Sequence, residues 1–244
     1  MKKITLNLIA LLFCSIIFGQ KINTTLEYKV NLPLKKTAKV PVVIMLHGYG
    51  SNEADLFDIS KSFDERVITF SLRGPYADGS KQGYSWFELN KNEQKEFQIN
   101  YKETAESRNK ILSFISNACN AYSLDSTQVF VMGFSQGAIM CYDLAFSHPG
   151  KIKGVLPLSG FILPQTKDLK PKTENLMKTG FFIAHGTQDN VIDFRKGEEA
   201  ATLLSAKKIP VTFKSYSMPH SICGKELNDI KSWMDSQITK EKKK

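Results

Sequence analysis

Residues 129–147 read VFVMGFSQGAIMCYDLAFS. The apolar run 129–134 suits a strand buried on both faces, and 136–147 continues as a helix that His148-Pro149 ends. Between them lies Gly133-Phe134-Ser135-Gln136-Gly137, a Gly-x-Ser-x-Gly string placed where a strand must turn sharply into a helix. The glycines allow backbone and neighbouring strands to approach without a Cβ in the way. The serine is then presented at the carboxyl edge of a sheet, beside a helix N-terminus that favours negative charge. The string alone is a weak signal; its strand–turn–helix setting makes it a candidate nucleophile elbow.

Outward from this stretch the chain alternates strand and helix. Strand patterns fall at 40–46 (VPVVIML), 67–72, 152–158, 181–184 and 211–216, with a weak alternation at 24–30. Helical patterns fall at 102–122, with Ile111, Leu112, Ile115, Ala118 and Cys119 on one face, and at 193–206 and 222–238. This alternation predicts an α/β fold, a mostly parallel central sheet with helices on both faces. The stretch 74–101 reads as one long irregular loop, a length usually reserved for function. With 244 residues, no internal repeat and no linker-like segment, the expected organisation is one domain over residues 20–239. Residues 240–244 are a solvated lysine-rich tail. Hydrophobic residues at 42% and charged residues at 23% exclude a disordered chain.

Residues 1–19 read as a signal peptide. Lys2 and Lys3 precede an apolar run over 4–18, too short for a spanning helix, and Gly19 is a small residue suited to cleavage. The expected location is therefore exported, periplasmic or extracellular, with no stable membrane span after cleavage. Loss of Lys2 and Lys3 takes the formal charge from +9 to +7. Basic residues are scattered except at the tail, which argues against a nucleic-acid partner. Removal of Cys14 leaves Cys119, Cys141 and Cys223, enough for one internal bridge at most.

A serine hydroxyl needs a base. His47 and His185 each precede a glycine at a strand end, where packing accounts for them, and His148 stands at a helix end. His220 follows the last strand, and the chain order Ser, acid, His selects it as the base for Ser135. In 185–193 (HGTQDNVID) two carboxylates are available. Asp189 lies in the loop after a strand, whereas Asp193 is placed to cap the next helix, so Asp189 is the candidate acid that orients His220. His47-Gly48-Tyr49-Gly50 follows strand 42–46 where an oxyanion loop belongs, making the backbone N–H groups of Tyr49 and Gln136 the candidate oxyanion donors.

The set Leu46-His47-Gly48-Tyr49-Gly50, Gly133-Phe134-Ser135-Gln136-Gly137, Leu158-Ser159-Gly160-Phe161, His185-Gly186-Thr187-Gln188-Asp189 and His220 resembles the phospholipase/carboxylesterase family, small α/β-hydrolases that include acyl-protein thioesterases. The likeness runs from about Val40 to Trp233. It implies an α/β-hydrolase fold without a large lid, cleavage of carboxylic esters or thioesters, and neither cofactor nor metal. It also implies the same roles for Ser135, Asp189, His220, Tyr49 and Gln136. Tyr84-Ser85-Trp86-Phe87 matches the family's Trp-Phe, which implies that Trp86 walls the acyl pocket, against a reading in which it only packs the long loop. Tyr49 stands where the family often has leucine. The expected partner is a small-molecule or polymer-linked ester, with the oligomeric state open. A thioesterase, a serine peptidase on the same fold and a non-catalytic binding protein are the competing readings.

Overall fold

The computed structural model describes residues 21–34, 40–77, 79, 83–92, 97–169, 171 and 173–239. The expected signal sequence, 1–19, and the expected lysine-rich tail, 240–244, lie outside the described residues. The central sheet has seven strands: β1 (Tyr28–Asn31), β2 (Val42–Leu46), β3 (Ile68–Leu72), β8 (Val129–Phe134), β9 (Gly154–Leu158), β10 (Gly180–Gly186) and β11 (Val211–Tyr216). Their order is β1-β3-β2-β8-β9-β10-β11. Only β1 is antiparallel; β2 through β11 of this sheet run parallel.

The strands are apolar throughout because both faces are covered. Alternate residues of β2 divide between two cores: Val42, Ile44 and Leu46 face one, Val43 and Met45 the other. The first core packs under α1 (Tyr101–Tyr122), α2 (Gln136–Ser147) and α5 (Arg195–Ala206). The second packs under α6 (Gly224–Thr239) through Ile230 and Met234 and meets the 3₁₀ segment Phe57–Ser62. This is the mostly parallel α/β sheet expected of the strand–helix alternation, in the α/β-hydrolase fold that the resemblance implied.

Two local expectations change. The stretch 74–101 is not one irregular loop. It carries two antiparallel ribbons, β4 (Tyr76–Ala77) with β5 (Tyr84–Ser85), and β6 (Leu89–Lys91) with β7 (Phe97–Ile99). These pieces are too short for an alternating pattern to show in the sequence. In α1 the buried stripe is Thr104, Ser107, Ile111, Phe114, Ala118 and Cys119, while Leu112 and Ile115 are only half-buried. Two short helices, α3 (Pro164–Asp168) and α4 (Thr173–Leu176), follow β9. Among the described residues no helical lid covers the carboxyl edge of the sheet, and no helix is long and apolar enough to cross a membrane.

Candidate active site

Ser135 sits between the last residue of β8 and the first of α2, half-buried, with φ 53° and ψ −113°. A non-glycine residue in that region is strained, and such strain persists only where the surroundings hold it. Here they do: Ser135 N–H donates to the Leu158 carbonyl at 2.9 Å, and its own carbonyl accepts from Ile139 N–H. A Cβ on Gly133 would collide with the Gly137 backbone, and one on Gly137 with the Leu46 carbonyl. Both glycines of the string are therefore required by close approach.

His220 lies beyond the end of β11. Its Nε2 is 2.9 Å from Ser135 Oγ and its Nδ1 is 2.7 Å from Asp189 Oδ2. Asp189 can only accept, so Nδ1 carries the ring proton and Nε2 is left to accept from the serine hydroxyl. The Asp189 side chain is fully buried and that of His220 is 14% exposed. The two loops meet because each is bonded to the other: Thr187 N–H donates to the Tyr216 carbonyl and Gln188 N–H to that of Met218. The Phe134 ring backs the imidazole, with centroids 4.8 Å apart. Asp193, the other carboxylate of this loop, turns outward to Arg195, 2.7 Å away, and its carboxyl is held down to about 2 by that partner. It also accepts from Arg195 N–H at the start of α5, a capping role one residue removed from the helix boundary.

The loop after β2 passes directly beside the serine; a Cβ on Gly48 would lie 3.5 Å from that of Ser135. The N–H of Gln136, at the first turn of α2, and that of Tyr49 have no partner among the described residues. His47 is fully buried and serves this loop. Its Nδ1 donates to the Gly48 carbonyl at 2.7 Å, and its Nε2 accepts from Gly74 N–H at 2.9 Å. Loss of hydration on burial holds the imidazole below its ordinary 6.5.

Trp86 departs from the role that the resemblance implied. It is fully buried, its indole N–H donates to the His47 carbonyl at 2.9 Å, and it does not line the cavity described below. With no exposed surface, it packs against His47 and braces the 47–50 loop. Gln136 completes this brace: its side-chain oxygen accepts from Trp86 N–H at 2.8 Å and its amide donates to the Phe87 carbonyl at 2.7 Å. Sequence reasoning gave Gln136 a backbone role only; no periodicity signals a side chain that reaches 50 residues back along the chain.

Beside the acid loop opens a cavity of about 580 Å³, its wall apolar in Phe97, Ile99, Phe161, Ile162, Val191 and Ile192. The Phe97 and Phe161 rings stack at 5.4 Å. Two of its walls begin within three residues of site groups: Val191 and Ile192 follow Asp189, and Phe161 follows Leu158, which accepts from Ser135 N–H. Phe97, Ile99 and Ile162 are wall residues that sequence reasoning did not single out. Cys119, Cys141 and Cys223 are all free thiols, the first two buried and the third half-buried.

Comparison with known proteins places this geometry in context. Residues 30–238 match the family model described as Phospholipase/Carboxylesterase. An acyl-protein thioesterase 1 of Cryptococcus neoformans is 24% identical over 225 residues, covering 82% of this chain and 93% of the relative. Carboxylesterase SOBER1 of Arabidopsis thaliana is 31% identical over 111 residues, 45% of this chain and 49% of that protein. Among solved structures, the Bacillus cereus carboxylesterase superposes with a TM-score of 0.76 at 23% identity, covering 88% of this chain and 96% of that one.

Proposed function

The chain belongs to the phospholipase/carboxylesterase family, and from that premise we propose that it is an exported serine hydrolase that cleaves carboxylic esters through an acyl-enzyme on Ser135. The observation that carries the proposal is the unbroken hydrogen-bonded line Ser135 Oγ, His220 Nε2, His220 Nδ1, Asp189 Oδ2. His220 takes the hydroxyl proton as Ser135 Oγ attacks the ester carbonyl, and Asp189 stabilises the imidazolium. Negative charge on the carbonyl oxygen is met by the N–H groups of Tyr49 and Gln136. Collapse of the tetrahedral intermediate breaks the ester C–O bond, and His220 protonates the departing alcohol. Water then attacks the acyl-enzyme, giving its proton to His220, which returns it to Ser135 Oγ as the carboxylic acid leaves.

The cavity next to the Asp189 loop supports placing the acyl group there, between the Phe97–Phe161 stack and Val191–Ile192, on the apolar part of a wall that also carries Lys167, Asp193, Lys196 and Glu199. The sequence of residues 1–19 supports export, which separates this chain from a task on intracellular acylated proteins. Thioester cleavage is the second reading, favoured by the relative named acyl-protein thioesterase 1. Ser135→Ala is expected to abolish turnover of p-nitrophenyl acetate and labelling by a fluorophosphonate probe. Full turnover in that variant defeats the proposal. A panel of esters, thioesters and amides of one acyl group then ranks the two hydrolytic readings and the peptidase.

A further inference from the structure

His185 is a buried titratable group for which the proposed cycle has no use. It is the penultimate residue of β10, and its side chain is fully enclosed. Its Nε2 lies 3.0 Å from the Ile192 carbonyl oxygen and 3.3 Å from Asp189 Oδ2. A carbonyl oxygen only accepts, so Nε2 carries the ring proton. Nδ1 has no hydrogen-bond partner among the described residues and is packed against Gly197, where a Cβ would come within 2.8 Å of it. Phe194 closes the remaining side edge-on, with centroids 6.0 Å apart. The ring is thus held in one tautomer with one idle nitrogen, and its single directed bond goes to the turn that carries Asp189.

That turn is gripped on both sides of one residue. Asp189 Oδ1 accepts from the N–H groups of Val191 and Ile192, both at 2.9 Å. Ile192 therefore gives its N–H to the carboxylate and its carbonyl to His185. The other carboxylate oxygen, Oδ2, is left for His220, with the His185 N–H at its flank. A residue present only to fill space would need neither the N–H nor its direction.

We infer that His185 is a positioning residue for the Asp189 carboxylate. Its Nε2–H closes the 189–192 turn through the Ile192 carbonyl and flanks Asp189 Oδ2, holding that oxygen where it orients His220. The inference rests on the hydrolase reading above. It identifies a function for the histidine of the His-Gly-Thr-Gln-Asp string that its place at a strand end does not reveal.

The test compares two amides of equal polarity and different reach. The Nε2 of glutamine in His185→Gln stands where the imidazole Nε2 stands, whereas the amide of His185→Asn stops short of the Ile192 carbonyl. The readout is the rate of fluorophosphonate labelling of Ser135 in the full-length chain, per folded molecule by near-UV circular dichroism. His185→Gln is expected within about threefold of the unsubstituted chain and His185→Asn at least about tenfold slower, as misplacement of a site group by a fraction of an ångström would give. A merely structural role lowers the melting temperature of both and leaves the two labelling rates alike. Equal rates, or a folded His185→Gln slowed tenfold, overturn the inference; the second result decides even if His185→Asn does not fold. Unsubstituted chain that is not labelled at Ser135 overturns the hydrolase reading and this inference with it, a failure distinct from equal rates in labelled variants.

Discussion

Asp189 and Asp193 lie four residues apart in one loop, and their surroundings divide the work between them. Asp189 is enclosed, with two backbone N–H groups on one oxygen and His220 on the other. Asp193 is exposed and tied to Arg195. Asp189→Asn is expected to lower kcat by about a hundredfold or more, because the amide disturbs the tautomer His220 needs, while Asp193→Asn stays within about twofold. The reverse ranking of kcat would exchange the roles. A third carboxyl, Glu226, is buried at the start of α6 with one oxygen unpartnered, and burial pushes it from its ordinary 4.5 to about 7. The folded state thus holds this proton more tightly than the unfolded chain. The associated stability is present below pH 4.5 and is lost as pH rises through about 7. Glu226→Gln is expected to melt near the unsubstituted chain at pH 5 and to be more stable at pH 8, by on the order of 3 kcal/mol in urea titrations. At this scale the meeting of Ser135, Asp189 and His220 was legible because chain order and loop position constrain it. The burial of Trp86 was not, because it depends on where a distant loop docks.

The ribbons between β3 and α1 show why an element can be invisible in the sequence and still shape a site. Their strands span two or three residues, below the length at which alternation means anything. They are ordered by what they touch: Tyr84 N–H donates to the Ser51 carbonyl, Gly50 N–H donates to that of Tyr84, and Ser107 Oγ donates to that of Trp86. Gln136 fastens the same loop to the first turn of α2. Gln136→Leu would leave the Trp86 N–H and the Phe87 carbonyl buried without partners, each worth about 1–3 kcal/mol. The expected loss is about 3 kcal/mol in chemical denaturation, with kcat reduced because the loop bearing Tyr49 rests on the Trp86 indole. A fully stable variant would show that packing alone holds the loop. By contrast β8, α2 and β11 fall where the sequence pattern puts them, since the apolar residues of the two strands face cores on both sides of the sheet and those of α2 fill one of them.

Across the whole molecule, strand order converts a linear series of motifs into one site. The order β1-β3-β2-β8-β9-β10-β11 sets the carboxyl ends of β2, β8, β10 and β11 along one edge. Ser135 thereby meets His220 across 85 residues of chain, and His220 meets Asp189 across 31. The proposed export belongs to this scale too. The mature protein recovered from outside the producing cell is expected to begin at Gln20, and an intact mass that retains residues 1–19 would contradict the proposed cleavage. By itself the sequence determined the α/β class, the strand–turn–helix at Ser135 and the chain order of Ser135, Asp189 and His220. Each is written in local periodicity, glycine spacing or succession along the chain. Only the tertiary structure decided that His185 stands against the Asp189 turn, that Trp86 and the Gln136 side chain brace the 47–50 loop, and that Phe97 stacks on Phe161 in the cavity wall. Those contacts are made by loops docking across the sheet edge, and their geometry follows from strand order and packing rather than from any repeat in the sequence.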